Sequence, residues 1–222
     1  MPEYVWHFEV VWENLPLLVK GLKFTILLTI CAFAVGTVLG LIAAFGRLSK
    51  FRPFNALASA YVEFFRTTPL LAQLWWLYYV IPMATGLTIP RFETGAIAFG
   101  LNIGAFLCEI YRAGIMSISR GQREAALALG MTPAQAMRRI ILPQAISRMV
   151  PPMGSMWVGL FKDTAVVSVI AVADLMHAAR VIAVQTYRPL EILTATALIY
   201  FIITYPQARG VDYLHRRFRV IE

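Results

Sequence analysis

Long apolar runs separated by short polar clusters dominate the chain. The runs that lack charge, or nearly lack it, are Phe24–Gly46, Thr67–Pro90, Thr94–Cys108, Met149–Ala173 and Ile192–Ala208. A helix needs about 20 apolar residues to cross the ~30 Å hydrocarbon core of a bilayer. With their apolar flanks, these runs predict five membrane-spanning helices, at residues 17–46, 56–82, 93–116, 149–175 and 190–212. We therefore expect one all-α integral membrane domain over residues 1–222, with its two termini on opposite sides of the membrane.

The composition excludes an ordinary soluble domain and a disordered chain. Of the 222 residues, 59% are hydrophobic and 14% are charged, against roughly 45–50% and 25% in soluble domains. The two cysteines, Cys31 and Cys108, lie inside apolar runs, which favours packing roles over a disulfide, redox or metal pair. The first residues are acidic and aromatic rather than basic, so we expect no cleavable signal peptide.

The formal net charge of +8 raises the question of nucleic acid, and the positions of the charges answer it. Cytoplasmic connections of membrane proteins carry an excess of Lys and Arg. Most of the 20 basic residues fall in one alternating set of connections: Arg47, Lys50, Arg52, Arg120, Arg123, Arg138, Arg139, Arg148, Arg209, Arg216, Arg217 and Arg219. This predicts a cytoplasmic C-terminus and an outer N-terminus, although Lys20 and Lys23 favour the reverse. The charge thus sets topology, and we expect no nucleic-acid partner.

The segment 117–148, on the basic side, has the pattern of a helical hairpin. An Ala- and Leu-rich helix is predicted over Gln122–Leu129, and Gly130 suits a left-handed residue at its end. Thr132 is a predicted N-cap, with Gln135 completing a capping box. The second helix is expected to end at Pro143. The pattern alone leaves two interpretations open: a basic amphipathic hairpin lying on anionic lipid, or a docking element for a soluble partner.

The hairpin also carries a specific motif. Glu124-Ala125-Ala126, Gly130, Ile140, Leu142 and Pro143 reproduce, without insertion or gap, the EAA motif (E-A-A-x3-G-x9-I-x-L-P) of bacterial ATP-binding cassette importer permeases. Further segments are similar to the polar amino acid branch of that family, related to importers of histidine, arginine, glutamine or glutamate/aspartate: Tyr61–Tyr79, Glu109–Met131, Phe161–Leu175 and Arg188–Pro206. The chain therefore resembles the membrane-spanning subunit of such an importer over nearly its whole length.

The resemblance implies a type I importer permease fold in the bacterial inner (cytoplasmic) membrane. It implies three kinds of protein partner: an ATPase dimer, a second permease that is identical or homologous, and an extracytoplasmic amino acid-binding protein. The hairpin would be the coupling element that seats in the ATPase, through Glu124, Ala125, Ala126, Gly130, Ile140, Leu142 and Pro143. ATP-driven closure of the ATPase dimer would switch the permease from inward-facing to outward-facing.

We expect no catalytic chemistry in this chain. It has no G-x-x-x-x-G-K-[S/T] loop to cradle ATP phosphates, so ATP and Mg²⁺ would be bound by the partner ATPase. His7, His177 and His215 are far apart in sequence, and no metal site or cofactor is predicted. An ATP-independent carrier or channel, and an intramembrane enzyme, are the competing classes. The enzyme would need a nucleophile or metal constellation that the sequence does not show.

Ionisable residues within spans are costly in free energy and are therefore candidate functional groups. Glu63 and Arg66, and likewise Glu109 and Arg112, are spaced to pair on a helix. Lys162 and Asp163 lie within the fourth predicted span, after two glycines, where interrupted helices build transporter sites. We expect a substrate pathway or gate at Glu63, Arg66, Glu109, Lys162 and Asp163.

Two further features carry expectations. Asp174, with His177 and Arg180, is a candidate docking surface for the binding protein. Gly36 and Gly40 form a G-x-x-x-G pattern that predicts close helix packing. The mixed charges favour neither a cationic nor an anionic amino acid, and a compatible solute or cystine stays open as the substrate.

Overall fold

The computed structural model describes residues 4–218, in which all regular elements are helical. This confirms the predicted all-α class. Residues 1–3 of the N-terminal segment and Arg219 of the basic set lie outside the described residues. The helices are α1 (Glu9–Glu13), α2 (Leu15–Leu48), α3 (Arg52–Thr67), α4 (Leu70–Trp75), α5 (Ile81–Thr85), α6 (Arg91–Met116), α7 (Arg120–Ala128), α8 (Pro133–Ala136), α9 (Leu142–Asp163), α10 (Leu175–Thr186) and α11 (Pro189–Arg217).

Within this part of the chain, 4 helices are long and apolar enough to cross a membrane. They are Leu15–Leu48, Arg91–Met116, the continuous run Pro133–Ile170, and Pro189–Arg217. The run Pro133–Ile170 joins α8 to α9 through a π-helical turn, Met137–Ile141, and continues as a 3₁₀ helix, Thr164–Ile170. A shorter apolar helix, Leu70–Thr85, combines α4, a second π-helical turn and α5. The chain is therefore built as a multi-pass membrane protein.

The second predicted span, residues 56–82, is not one helix. α3 ends at Thr67, Thr68 is extended with φ −92° and ψ 143°, and α4 begins at Leu70. The cause is Pro69, which has no amide donor and disfavours helical backbone at the residue before it. This predicted span therefore consists of two helical pieces that meet at Thr68 and Pro69.

Glycines bring α2 and α6 into backbone contact along their length. A Cβ on Gly40 would lie 2.8 Å from the Gly104 carbonyl oxygen, and one on Gly36 would overlap Ile103. This confirms the close packing predicted from the G-x-x-x-G pattern. Because the end of α2 pairs with the end of α6 through Arg47 and Glu109, the two helices run parallel.

The remaining contacts define two ends of the bundle. Arg148, in α9, donates to the Ser117 carbonyl at 2.6 Å, so α9 starts beside the end of α6. α11 packs antiparallel to α9, with a hydrogen bond of 2.7 Å from Trp157 to Gln207. The end that carries residues 117–148, here called the hairpin end, therefore also holds the end of α11. The N-terminal segment lies at the opposite end, where Tyr4 bonds Glu191.

Candidate functional site

The hairpin has the local geometry that the sequence predicts. α7 ends at Ala128, and Gly130 takes a left-handed conformation with φ 78°. Thr132 caps α8: its hydroxyl accepts from the Gln135 amide at 3.3 Å, while the Gln135 side chain accepts from the Thr132 amide at 2.9 Å. Both the left-handed glycine and the capping box are thus confirmed. They fix the turn between α7 and α8.

The second arm of the hairpin does not end at Pro143, and that expectation is wrong. The π-helical turn Met137–Ile141 leads directly into α9, where Pro143 occupies the first turn. A proline in a helix clashes with the carbonyl four residues earlier, and a π-helical turn re-routes the hydrogen bonds at that point. Pro82 is placed in the same way: it lies in the first turn of α5, directly after the π-helical turn Trp76–Val80.

Most residues of the EAA motif are exposed on the surface of the described residues. Glu124, Ala125 and Gly130 are exposed, whereas Ala126 is buried in the hairpin. A Cβ on Gly130 would meet no atom within 4 Å. Leu127 and Leu129 add apolar surface, and Leu129 is 80% exposed at the turn. Ile140 is half-buried, and Leu142 and Pro143 are exposed where α9 begins. The hairpin tip therefore presents a small, partly apolar surface.

A charged cluster joins the ends of α2 and α6 next to the hairpin. The predicted pair of Glu109 and Arg112 is present, at 2.8 Å. Arg47 also pairs with Glu109, and the Arg47 backbone carbonyl accepts from the Asn55 side-chain amide at 2.7 Å. Sequence spacing could not find Arg47, because it lies 62 positions from Glu109. The cluster ties α2, α3 and α6 together at the hairpin end.

A cavity of about 380 Å³ lies where the α3–α4 break, the middle of α6 and the end of α9 meet. Its polar walls are Arg66, Thr68, Asn102 and Asp163, and its apolar walls include Phe99, Phe106, Met156 and Leu160. The Arg66 guanidinium carbon lies 5.4 Å from the centre of the Phe106 ring, within the range of a cation–π contact. The wall of the cavity thus carries one cation, one anion and two side chains that can form hydrogen bonds.

Two amide side chains that no sequence pattern pointed to hold the helix break beside this cavity, and one of them, Asn102, lines it. Gln73 is buried and donates to the Phe65 carbonyl at 3.0 Å and to the Thr68 hydroxyl at 2.6 Å. Asn102 donates to the Phe65 carbonyl at 2.9 Å and to the Gln73 side-chain oxygen at 3.1 Å. These bonds satisfy carbonyls that the helix break leaves free, and they hold the break against α6.

Two other residues that we predicted for the substrate pathway, Glu63 and Lys162, do not line the cavity. Glu63 is exposed, and within residues 4–218 it forms no ion pair with Arg66, so the expected pairing is wrong. Lys162 is exposed and does not line the cavity, whereas its neighbour Asp163 does. Both stand at the end of α9, where the helix changes to the 3₁₀ helix Thr164–Ile170 without a break in the run.

At the opposite end, Asp174 is buried and does not form the docking surface that we expected. Its carboxylate caps α10, accepting from the His177 amide at 2.9 Å and the Met176 amide at 3.2 Å. Nearby, buried Glu191 accepts from the Tyr4 hydroxyl at 2.7 Å and from the His7 amide at 3.0 Å. The bond to Glu191 raises the pKa of the Tyr4 phenol. Both acids are therefore structural at this end.

The helical bundle, the projecting hairpin and the charged cavity are together typical of a membrane transport component. In agreement, residues 36–220 match the family described as binding-protein-dependent transport system inner membrane component. The chain belongs to this family, which confirms the resemblance seen in the motif. The family comprises transport permease subunits, which are not themselves enzymes.

Relatives and a solved structure match over nearly the full length. The chain is 38% identical over 209 residues to the probable glutamine ABC transporter permease protein GlnM of Bacillus subtilis (strain 168), covering 94% of this chain and 96% of the relative. It is 42% identical over 191 residues to the L-cystine transport system permease protein TcyB of the same strain, covering 86% and 81%. The crystal structure of an amino acid ABC transporter with histidines matches with TM-score 0.91 and 39% identity, covering 96% and 100%.

Proposed function

We propose that this chain is the membrane-embedded permease subunit of an ATP-driven importer of a polar amino acid in the bacterial inner membrane. Family membership and relatives named for glutamine and cystine transport support the class. The observation that carries the proposal is the hairpin, whose exposed tip bears the motif of this family. An exposed helical surface of this kind suits a groove on a soluble partner.

In this proposal the hairpin seats in a cleft of an ATPase subunit, which holds ATP and Mg²⁺. Exposed Glu124, Ala125 and Gly130 would form the contact, and Gly130 allows a close approach of the partner's backbone. Buried Ala126 would act inside the hairpin by packing its two arms together. Ile140, Leu142 and Pro143 would carry the movement from the hairpin into α9.

The run Pro133–Ile170 provides a mechanical path from the hairpin to the cavity. This helical run begins in the hairpin and includes Asp163, which lines the cavity at the end of α9. A displacement of the hairpin would therefore move Asp163 relative to Arg66 on α3. Alternating access requires such a two-state element, which both the partner and the substrate can bias.

The cavity suits the common part of all α-amino acids. Arg66 would pair with the substrate carboxylate and Asp163 with its ammonium group, while Asn102 and Thr68 would supply hydrogen bonds. Relatives that carry chemically different amino acids fit a cavity that recognises this shared part. An amino acid derivative such as cystine is the second candidate substrate, because a relative at 42% identity is named for it.

The positions of the basic residues support the orientation of the importer. Arg47, Arg120, Arg148 and Arg217 all lie at the hairpin end, which would face the cytoplasm and the ATPase dimer. The opposite end would receive substrate from an extracytoplasmic binding protein. A second permease, identical or homologous, would complete the pathway.

Reconstituted uptake tests the proposal. The chain, with its ATPase and binding protein, is placed in proteoliposomes, and entry of radiolabelled glutamine, glutamate, histidine and cystine is measured with and without ATP on the hairpin side. We expect concentrative uptake of at least one of these substrates that requires both ATP and the binding protein. Uptake that needs neither would identify a carrier or channel and contradict the proposal.

A further inference from the structure

A largely apolar crevice lies apart from the cavity described above, between α2, α3 and α6. It has a volume of about 230 Å³, and its walls include Leu39, Ile42, Phe54, Leu57, Tyr61 and Leu101. Ile42 is 52% exposed and Leu57 is 70% exposed, so the crevice opens on the outer surface of the chain. Beside it, α2 and α3 meet closely: a Cβ on Gly46 would lie 2.7 Å from the Ala58 Cβ.

Positive charge gathers at the hairpin end of this crevice. Lys50 and Arg52 stand in and directly after the connection between α2 and α3, and both are exposed. No side chain caps the N-terminus of α3, but Pro53 in its first turn has no amide and the Phe51 amide donates to the Ser49 hydroxyl, so the positive charge here comes mainly from the Lys50 and Arg52 side chains. Phe54, in the first turn of α3, lines the crevice itself. A basic anion site and an apolar slot are therefore adjoining parts of one surface.

We propose that this surface binds one anionic phospholipid, here called the lipid site. Its phosphate would lie at the N-terminus of α3 between Lys50 and Arg52, and one acyl chain would fill the crevice. A free phosphate would leave the apolar slot empty, and an apolar peptide would leave the two cations without a partner. A lipid with net negative charge matches both parts, since its headgroup keeps a negative charge that a zwitterionic headgroup neutralises internally.

The lipid site adjoins the contacts that position α3. The Asn55 side-chain amide donates to the Arg47 carbonyl, and Arg47 pairs with Glu109 of α6. A lipid in the crevice would fill the space between α3 and its two neighbours. The site rests on the proposed orientation, because the hairpin end then meets the anionic cytoplasmic leaflet.

Native mass spectrometry of the full-length chain tests the lipid site. The chain is delipidated in detergent and titrated with an equal mixture of phosphatidylglycerol and phosphatidylcholine that carry the same acyl chains. We expect one phosphatidylglycerol to be retained, preferred by about tenfold or more, since two cations near a phosphate contribute additively. The Lys50→Gln/Arg52→Gln variant should lose this preference. The control Arg216→Gln/Arg217→Gln, which removes the same charge from the exposed end of α11, should keep it.

A second variant and a competition separate the two parts of the site. Ile42→Trp fills the crevice and should reduce retention of both lipids, and inorganic phosphate should not displace phosphatidylglycerol. Equal retention of the two lipids by the unchanged chain would overturn the proposal, and so would equal loss in both double variants. If Ile42→Trp instead dissociates a dimer of permease chains, the crevice is a contact between two copies and the lipid site is overturned. This experiment measures lipid binding and not transport. Its failure would therefore leave the proposed function intact, because that function is tested separately by the uptake assay.

Discussion

At the residue scale, the candidate cavity depends on Gln73 and Asn102, which carry no charge. Their amides satisfy the carbonyls of Phe65 and Thr68 at the break before Pro69. Without them, these carbonyls would face an apolar interior with no water to bond. The two amides therefore determine where Arg66 and Thr68 stand relative to α6.

Replacing Gln73 by Leu should destabilise the chain. The substitution removes the donor to the Thr68 carbonyl and hydroxyl and the acceptor for Asn102, while the Phe65 carbonyl keeps its bond from Asn102. A buried polar group left unpaired costs about 1–3 kcal/mol. Thermal unfolding in detergent measures the loss. Gln185→Leu is the matched control, because Gln185 is exposed on α10. Equal unfolding temperatures for Gln73→Leu and the unchanged chain would contradict this role.

Replacing Asp163 by Asn should weaken substrate binding in the cavity. Hydrogen bonds to charged groups are worth about 1.5–3 kcal/mol, so kcat/KM for uptake should fall by roughly 10-fold to 100-fold. Asp212→Asn is the control, since Asp212 is exposed on α11 and, among residues 4–218, forms an ion pair with Arg209 alone, at 3.9 Å. If kcat/KM is unchanged in Asp163→Asn, Asp163 does not take part in substrate binding.

Rules that use only neighbours in sequence predict some residues of the hairpin and of the candidate site, but not others. The capping box of Thr132 and Gln135 and the left-handed Gly130 follow from neighbours in sequence, and the structure confirms them. The Arg47–Glu109 pair and the bond between Asn102 and Gln73 join helices that are distant in sequence. No spacing rule reaches such contacts, because they depend on how whole helices pack.

At the scale of elements, prolines explain where the predicted helices differ from the structure. Pro69 breaks the second predicted span, whereas Pro143 and Pro82 follow π-helical turns and leave the helix continuous. Sequence alone marks each proline as a point of interruption. Whether the chain then breaks or bends depends on partners for the freed carbonyls. Gln73 and Asn102 supply those partners at the break.

The glycine contact between α2 and α6 gives a test at this scale. Gly40→Ala places a Cβ 2.8 Å from the Gly104 carbonyl, and overpacking of this kind costs about 1–3 kcal/mol. Gly210→Ala is the matched control in α11, where a Cβ meets no atom within 4 Å. There alanine should be neutral or stabilising, by up to ~1 kcal/mol from helix propensity. The same unfolding temperature for both variants would contradict the packing role.

At the scale of the whole molecule, the account predicts an orientation. Basic residues cluster at the hairpin end, so that end should face the cytoplasm. In a variant without Cys31 and Cys108, a cysteine at Leu129 should react with a membrane-impermeant thiol reagent only from the cytoplasmic side. A cysteine at Leu87, 67% exposed beyond α5, should react only from outside. The reverse labelling would show the opposite orientation, with the hairpin on the side away from any cytoplasmic ATPase.

The most direct test of the central claim compares two glycines of the hairpin. Both Gly130 and Gly121 have open space around an added Cβ, but only Gly130 has positive φ. Alanine at Gly130 should strain the turn by roughly 1–2 kcal/mol, whereas alanine at Gly121 should not. Each variant is reconstituted with the ATPase subunit and binding protein, and transport per ATP hydrolysed is measured. We predict a lower ratio in Gly130→Ala and an unchanged ratio in Gly121→Ala. An unchanged ratio in both, with the ATPase still bound, would contradict coupling through the hairpin.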